Sequence, residues 1–381
     1  MAEFAIYTFL VFSISFVCFA LLLKMSRSAK WNTFLAPSQK STTGAILLGG
    51  LPLSIGMFTA ILINYGFSLK LLMWLIPAAL LVLVGYLDDV FEIRARVKLV
   101  FQLLAVVSFG LIFTSIHNSD LVTFALIVFF GFGAMNGANL LDGIDTFSIK
   151  YLGTILAATS FVSFVYGFQP LSIFTMMCAA PLFAFYFFNK SPSKVHLGEI
   201  GGGIIGLNLL FICSELYMSL NTIKPTVFDL EAFAFAFAFM HLPMTELGIS
   251  LVRRVLNKKS PFCGDKLHLH SLLVDREGMN ASQASNKLNL FHFFSLTSMV
   301  LMSLVANPVA AFLFSGIFSV SYYLYFGSEF WFKEQVTRDL REYFTGVNSE
   351  HIHAYDFSSL NEFNFEFDYV EAQDSDSKKA S

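Results

Sequence analysis

Two adjacent carboxylates, Asp88 and Asp89, stand where the apolar run Leu71 to Leu87 gives way to the charged stretch Glu92, Arg94, Arg96 and Lys98. At the C-terminal end of a membrane helix they repel each other and the negative end of the helix dipole, so a bound divalent cation is an economical way to keep both ionised. Three further polar clusters follow. Asn136, Asn139, Asp142 and Asp145 close another apolar run. Steps of three place Asn136, Asn139 and Asp142 along one slowly turning helical face, and Gly143 permits a local break beside Asp145. Helix caps and interhelical hydrogen bonds account well for one Asn and one Asp there, but poorly for two of each. The segment from His196 to Gly203 joins the carboxylate of Glu199 to backbone able to approach a phosphate, although taken alone it reads as a glycine-rich turn before a helix. Lastly, His268 and His270 lie beside Asp265 and Lys266, downstream of the basic residues Arg253 to Lys259. That group could hold a pyrophosphate, a sugar or a metal, or be an ordinary solvated loop, and spacing does not choose.

Membrane helices must position these clusters. With 381 residues, 56% hydrophobic and 13% charged, and a mean hydropathy of +0.66, the chain is too apolar for a soluble enzyme. Eleven apolar stretches of bilayer length are legible: Phe4 to Leu23, Ala45 to Tyr65, Leu71 to Leu87, Leu99 to Ile116, Leu121 to Met135, Leu152 to Gly167, Leu171 to Phe188, Ile204 to Leu220, Phe233 to Leu251, Phe291 to Ala306 and Val309 to Phe326. With the N-terminus outside, every one of the 24 Lys and Arg except Lys70 and Lys224 falls on the cytoplasmic side, as the positive-inside rule requires. All four polar clusters then share that side. The expected fold class is all-α, a polytopic bundle of about 11 transmembrane helices with a cytoplasmic C-terminus.

The first span has Lys24, Arg27 and Lys30 behind it and no small-residue cleavage site, so it is expected to be retained. The alternating Phe and Ala from Ala232 to Phe239 have a strand-like period. Only helices and closed barrels satisfy backbone groups in lipid, however, so a helix is expected there too. Cys18, Cys178, Cys213 and Cys263 show no paired spacing. The domain division is a membrane domain over 1–327 and an acidic tail over 328–381, which from Glu329 on holds 12 Asp and Glu against 5 Lys and Arg. His351 and His353 in that tail are read as solvated rather than ligating.

The four clusters, in order, resemble those of the polyprenyl-phosphate N-acetylhexosamine-1-phosphate transferases, a glycosyltransferase family 4 type. The resemblance rests on Gly85-Tyr-Leu-Asp-Asp-Val-Phe-Glu92 with Lys98-Leu-Val-Phe-Gln102, and on Asn136-Gly-Ala-Asn-Leu-Leu-Asp-Gly-Ile-Asp145. Leu197-Gly-Glu-Ile-Gly201 and Ser260-Pro-Phe-Cys-Gly-Asp-Lys-Leu-His-Leu-His270 support it, and together these span about Pro37 to Leu273. It implies ten or eleven helices around a cytoplasm-facing cleft in the inner membrane, a UDP-sugar donor, undecaprenyl phosphate as acceptor and UMP as leaving product. Mg²⁺ is the implied cofactor, with Mn²⁺ as an alternative. By position it implies catalytic roles for Asp88, Asp89, Asp142, Asp145 and His268, substrate binding by Lys98, Asn136, Asn139 and His270, and metal binding by Asp89 and Glu199. Membrane lipid is a partner, a homodimer is allowed, and no nucleic-acid partner is expected.

The chain also departs from the family pattern. Glu199 stands where an Asp ligand is usual, Ser271 replaces the last histidine of the loop, and Thr146-Phe147 replace Gly-Leu. Glu246 occupies an expected Asp position, and Ser41 lies near a usual His, although Gly49-Gly50 are kept. These changes suggest a divergent branch. The competing classes are a transporter or flippase of an anionic lipid-linked substrate, which would set charges along a path across the bilayer, and a non-catalytic homologue unable to bind Mg²⁺.

Overall fold

The computed structural model describes residues 2–325, apart from 28–44, 92, 191, 224–227, 259, 261–266, 276 and 306. The acidic tail, Ser41, Glu92 and the loop around Asp265 and Lys266 lie outside the described residues. The elements are α1 (Ala2–Ser26), α2 (Gly50–Tyr65), α3 (Leu69–Phe91), α4 (Ala95–His117), α5 (Leu121–Leu141), α6 (Phe147–Val165), α7 (Gln169–Asn189), α8 (Gly198–Asn221), α9 (Leu230–Ala238), α10 (His241–Leu256), α11 (Leu269–Asp275) and α12 (Ala281–Val305). A last helix, α13, runs Pro308–Tyr325. Among the described residues the only strand-like pairing is one isolated bridge, Ile46 to Val195.

Among the described residues, eight helices are long and apolar enough to cross a membrane, and α9 with α10 would make a ninth as one broken span. This is a multi-pass membrane protein. Eleven spans were expected, a number roughly consistent with this, and one of them is short for a local reason. The second, α2, has 16 residues, about 24 Å of helix and short for a bilayer, while the tenth falls on the C-terminal part of the 25-residue α12.

The ninth expected span needs a larger correction. Its halves meet at a 78° bend, because Pro243 has no amide proton and its ring collides with the carbonyl four residues back, at Phe239. The Phe and Ala alternation before the bend is helical, as expected. Beyond it, α10 turns across the end of α5.

Close backbone approach organises the centre. A Cβ at Gly85 on α3 would come within 2.6 Å of the Ile200 backbone on α8, and one at Gly206 would strike the backbone of Met135 on α5. Likewise a side chain at Gly137 would strike the Pro243 carbonyl, and one at Gly133 the Met244 sulfur. Without a hydrophobic drive between helices inside lipid, such small residues let dispersion and polar contacts hold the bundle. Accordingly α8 is the most enclosed helix, buried over 89% of its apolar window. Outside it, phenylalanines stitch α1 to α7, with Phe19 stacked on Phe185 at 5.2 Å and on Phe188 at 5.4 Å.

Candidate active site

The end of α3, the start of α4, the α5–α6 turn and the start of α8 meet at one end of the bundle. Asp88 and Asp89 do not share a ligand there. About 100° apart on the helix, they face different partners: Asp88 Oδ2 accepts from Lys98 Nζ at 3.2 Å, while Asp89 Oδ1 accepts from the Glu199 backbone N–H at 3.1 Å. The latter is a first-turn amide of α8, where the helix dipole favours an anion. Asp89 Oδ2 is buried and makes no hydrogen bond.

Glu199 ties these groups together. Its Oε2 accepts from Asn139 Nδ2 at 2.8 Å and pairs with Lys98 Nζ at 3.1 Å, so a single ammonium lies between Asp88 and Glu199. Gly198 before it is needed twice over. Its φ is +69°, and a side chain would strike the Leu47 carbonyl and come within 2.7 Å of Asp89 Oδ2. The preceding loop is held by residues 46–50, through His196 N–H to Ile46 O at 2.8 Å and Gly49 N–H to His196 O at 2.9 Å.

The supposed polar face of α5 divides into separate contacts. Asn136 donates to Phe132 O in its own helix at 2.8 Å, and Asn139 reaches Glu199. Asp142, just past the helix, accepts from Ser148 Oγ at 2.7 Å. Loss of hydration pushes the Asp142 carboxyl up to about 7, and the nearby charges of Glu199, Asp145 and Asp89 add to this against the Ser148 hydroxyl. Asp145 lies 3.6 Å from His196 Nδ1, whose imidazole is lowered by burial and partly restored by that carboxylate.

The break in the α5–α6 turn falls on Thr146 rather than Gly143. Thr146 has φ +66°, a conformation costly for a β-branched residue. It is held by its N–H to Asn189 Oδ1 at 2.7 Å and by its hydroxyl against Ser285 Oγ at 3.2 Å. Gly143 serves a close approach instead, since a side chain there would strike the His270 ring.

This contact joins the histidine segment to the Asp142 turn. His270 is buried, which pushes its imidazole down to about 3 with His268 adding to the effect, and its ring stacks on His268 at 5.7 Å. His268 Nδ1 meets Glu246 Oε1 at 2.7 Å. Asp88, Asp89, Lys98, Asn139, Asp142, Asp145, Glu199, His268 and His270 are therefore linked through neighbouring contacts, whereas Asn136 spends its amide within α5. Sequence reasoning left His196 and Ser148 without roles. An isolated His before a Gly-rich turn and a Ser six residues past an Asp carry no recognisable spacing.

Fold and site together define a helical membrane protein with a surplus of carboxylates gathered at one end of the bundle. Residues 71–216 match the family model described as Glycosyl transferase family 4. That stretch holds the carboxylates, Lys98 and Asn139, and ends before Glu246 and the histidines. The chain is similar to a probable undecaprenyl-phosphate N-acetylglucosaminyl 1-phosphate transferase of Bacillus subtilis, 25% identical over 70% of this chain and 76% of that protein. It is also similar to undecaprenyl-phosphate alpha-N-acetylglucosaminyl 1-phosphate transferases of Thermotoga maritima, at 28% over 52% of this chain and 60% of that one, and of Escherichia coli K12, at 26% over 62% and 67%. The resemblance carried by the motifs is borne out at low identity, and the chain is a divergent relative of these proteins.

Proposed function

We propose that this protein transfers N-acetylhexosamine-1-phosphate from a UDP-sugar to undecaprenyl phosphate at the cytoplasmic face of the inner membrane, releasing UMP and beginning a lipid-linked surface glycan. The observation that carries the reading is the gathering of Asp88, Asp89, Asp142 and Glu199 at one end of the bundle, where Lys98 bridges Asp88 and Glu199. Carboxylates able to hold a cation beside a basic donor suit chemistry that joins two phosphates. An oxygen of the lipid phosphate attacks the sugar-bearing phosphorus, the bond from that phosphorus to the UMP oxygen breaks, and a new diphosphate links lipid to sugar.

Mg²⁺ fits the donors. Asp89 has a buried oxygen without a partner, and it and Glu199 offer only hard oxygen ligands. An ion of this kind takes one or two carboxylates and completes its shell with water and phosphate. When bound by Asp89 and Glu199, it would offset the charge gathered on the phosphates. The remaining work falls to the chain. Lys98 draws the anionic headgroup and balances the leaving phosphate, Asp89 can take a residual proton from the lipid phosphate, Asn139 holds Glu199 in place, and Asp142, poised near 7, can hold or release a proton.

The test is purified protein with undecaprenyl phosphate, Mg²⁺ and a panel of UDP-sugars. UMP should appear with at least one N-acetylated UDP-hexose, and Asp88→Asn or Asp142→Asn should abolish its release in protein that still elutes as a monodisperse species. No UMP with any sugar, together with movement of intact lipid-linked saccharide across vesicles, would replace this reading with a transporter.

A further inference from the structure

The bend after α9 gives α10 a task that a straight span could not perform. Glu246 and Arg253 are seven residues apart, two helical turns along one face, and both are buried, at 1% and 5% exposure. Both grip the segment that carries the histidines. Glu246 Oε1 meets His268 Nδ1 at 2.7 Å, and Arg253 Nη1 donates to the carbonyl of Leu267, the residue before it, at 2.6 Å. At its other end α10 is registered on α5 where Gly133 and Gly137 admit Met244 and Pro243, and α5 leads directly to Asp142.

We propose that α10 is a clamp that fixes His268 against the Asp142 turn, with Glu246 as its positioning residue. The reading rests on the transfer reaction above. A carboxylate on Nδ1 selects the tautomer that carries its proton there, and it stabilises the imidazolium when the ring takes a second proton. His268 then offers a phosphate oxygen a donor of fixed direction. The second oxygen of Glu246 has no hydrogen-bond partner. It belongs to a residue lining a cavity of about 10 Å³ with Tyr323 and His270, room for about one water. Glu246 is thus committed to His268, and Arg253 supports the same segment through the Leu267 carbonyl.

Two substitutions separate orientation from charge. Glu246→Gln keeps shape and an acceptor but loses charge, and Glu246→Leu loses both. For UMP release, Glu246→Leu should lower kcat by about 10- to 100-fold, in the range seen when a carboxylate that orients a histidine is removed, with KM for the UDP-sugar within about twofold. Glu246→Gln should fall between that and wild type and displace the pH profile, and Glu246→Asp should recover part of the loss. Nitrogen-15 NMR of histidine-labelled protein, assigned through His268→Gln, provides a readout without turnover: His268 should hold its proton on Nδ1 in wild type and lose that preference in Glu246→Leu. A wild-type protein that releases no UMP breaks the transfer reading, while the tautomer still tests the clamp. Unchanged tautomer, kcat and pH profile in folded Glu246→Leu would overturn the clamp.

Discussion

Helices α3 and α8 run side by side and are joined at both ends by acid and base, yet the two ends are built differently. At one end Glu215 Oε2 accepts from Lys70 Nζ at 2.7 Å and from the Tyr65 hydroxyl at 2.8 Å. In the buried middle Trp74 Nε1 donates to Asn208 Oδ1 at 3.1 Å. At the other end Lys98 bridges Asp88 and Glu199, and Asp89 joins them through the Glu199 backbone N–H. Unpartnered oxygens do not distinguish the ends, because Glu215 Oε1 is as bare as Asp89 Oδ2. Charge balance does. Among the described residues, one carboxylate against one ammonium makes a strut that can close on itself, whereas several carboxylates near one ammonium leave a negative excess that is costly in a poorly hydrated place unless something cationic or proton-bearing joins them. The balanced end also explains why Lys70 lies against the positive-inside pattern: it is held by Glu215.

This contrast is most exposed to substitution at matched positions. Asp89→Asn keeps the shape of the side chain and an acceptor for the Glu199 N–H but removes the excess charge, so UMP release should fall by about 1,000-fold or more, the scale of losing a principal electrostatic group, with little change in the unfolding midpoint in detergent. Glu215→Gln should do the reverse, keeping turnover within about twofold and costing about 2 kcal/mol of stability, the scale of a hydrogen bond to a charged group, read as a lowered midpoint. If both variants were inactive, or both merely unstable, the two ends would not differ in kind. Lys98→Ala and Lys70→Ala sharpen the same point with a smaller effect. The first should lower turnover by about 100-fold, because Asp88 and Glu199 then lose the ammonium they share beside the substrate phosphates, and should respond to ionic strength. The second should move only the midpoint.

Much of this arrangement is legible in the sequence. Composition and the placement of Lys and Arg give a multi-pass helical protein, and the residue types of the four clusters mark where the chemistry sits. The pairing inside those clusters is not legible, since it depends on contacts between residues far apart in the chain: Asn139 with Glu199, Asp89 with the first turn of α8, His268 with Glu246. Local reading misassigned Gly143 because a glycine marks a free backbone without saying whether the freedom is in dihedral angle or in space. The positive φ falls on Thr146, which tertiary bonds to Asn189 and Ser285 hold in place, and Gly143 makes room for His270. Hydropathy likewise could not see that Pro243 divides the ninth span, because proline is apolar enough to pass a window average and acts through a missing amide.

The subtlest test concerns the proton at Asp142. A carboxyl held near 7 keeps its proton in the folded chain over a range in which the unfolded chain, with an ordinary value of 3.8, has released it. This group therefore makes the fold less stable as pH rises from 3.8 through about 7, and its negative charge is complete only above that window. If turnover needs the anion, UMP release should climb with pH across the same interval. Ser148 opposes the upward shift by donating to Oδ1, so Ser148→Ala should carry the acidic limb of the rate profile to still higher pH, by about one unit for the loss of one good hydrogen bond to the charged form. The rate on the alkaline plateau should be nearly unchanged. No comparable displacement should follow Ser219→Ala near the balanced end, where the hydroxyl bonds only the Glu215 backbone carbonyl. A limb that stays put in Ser148→Ala, or that moves equally in Ser219→Ala, would mean the rate-limiting proton is not on Asp142 and that the negative excess at this end acts by charge alone.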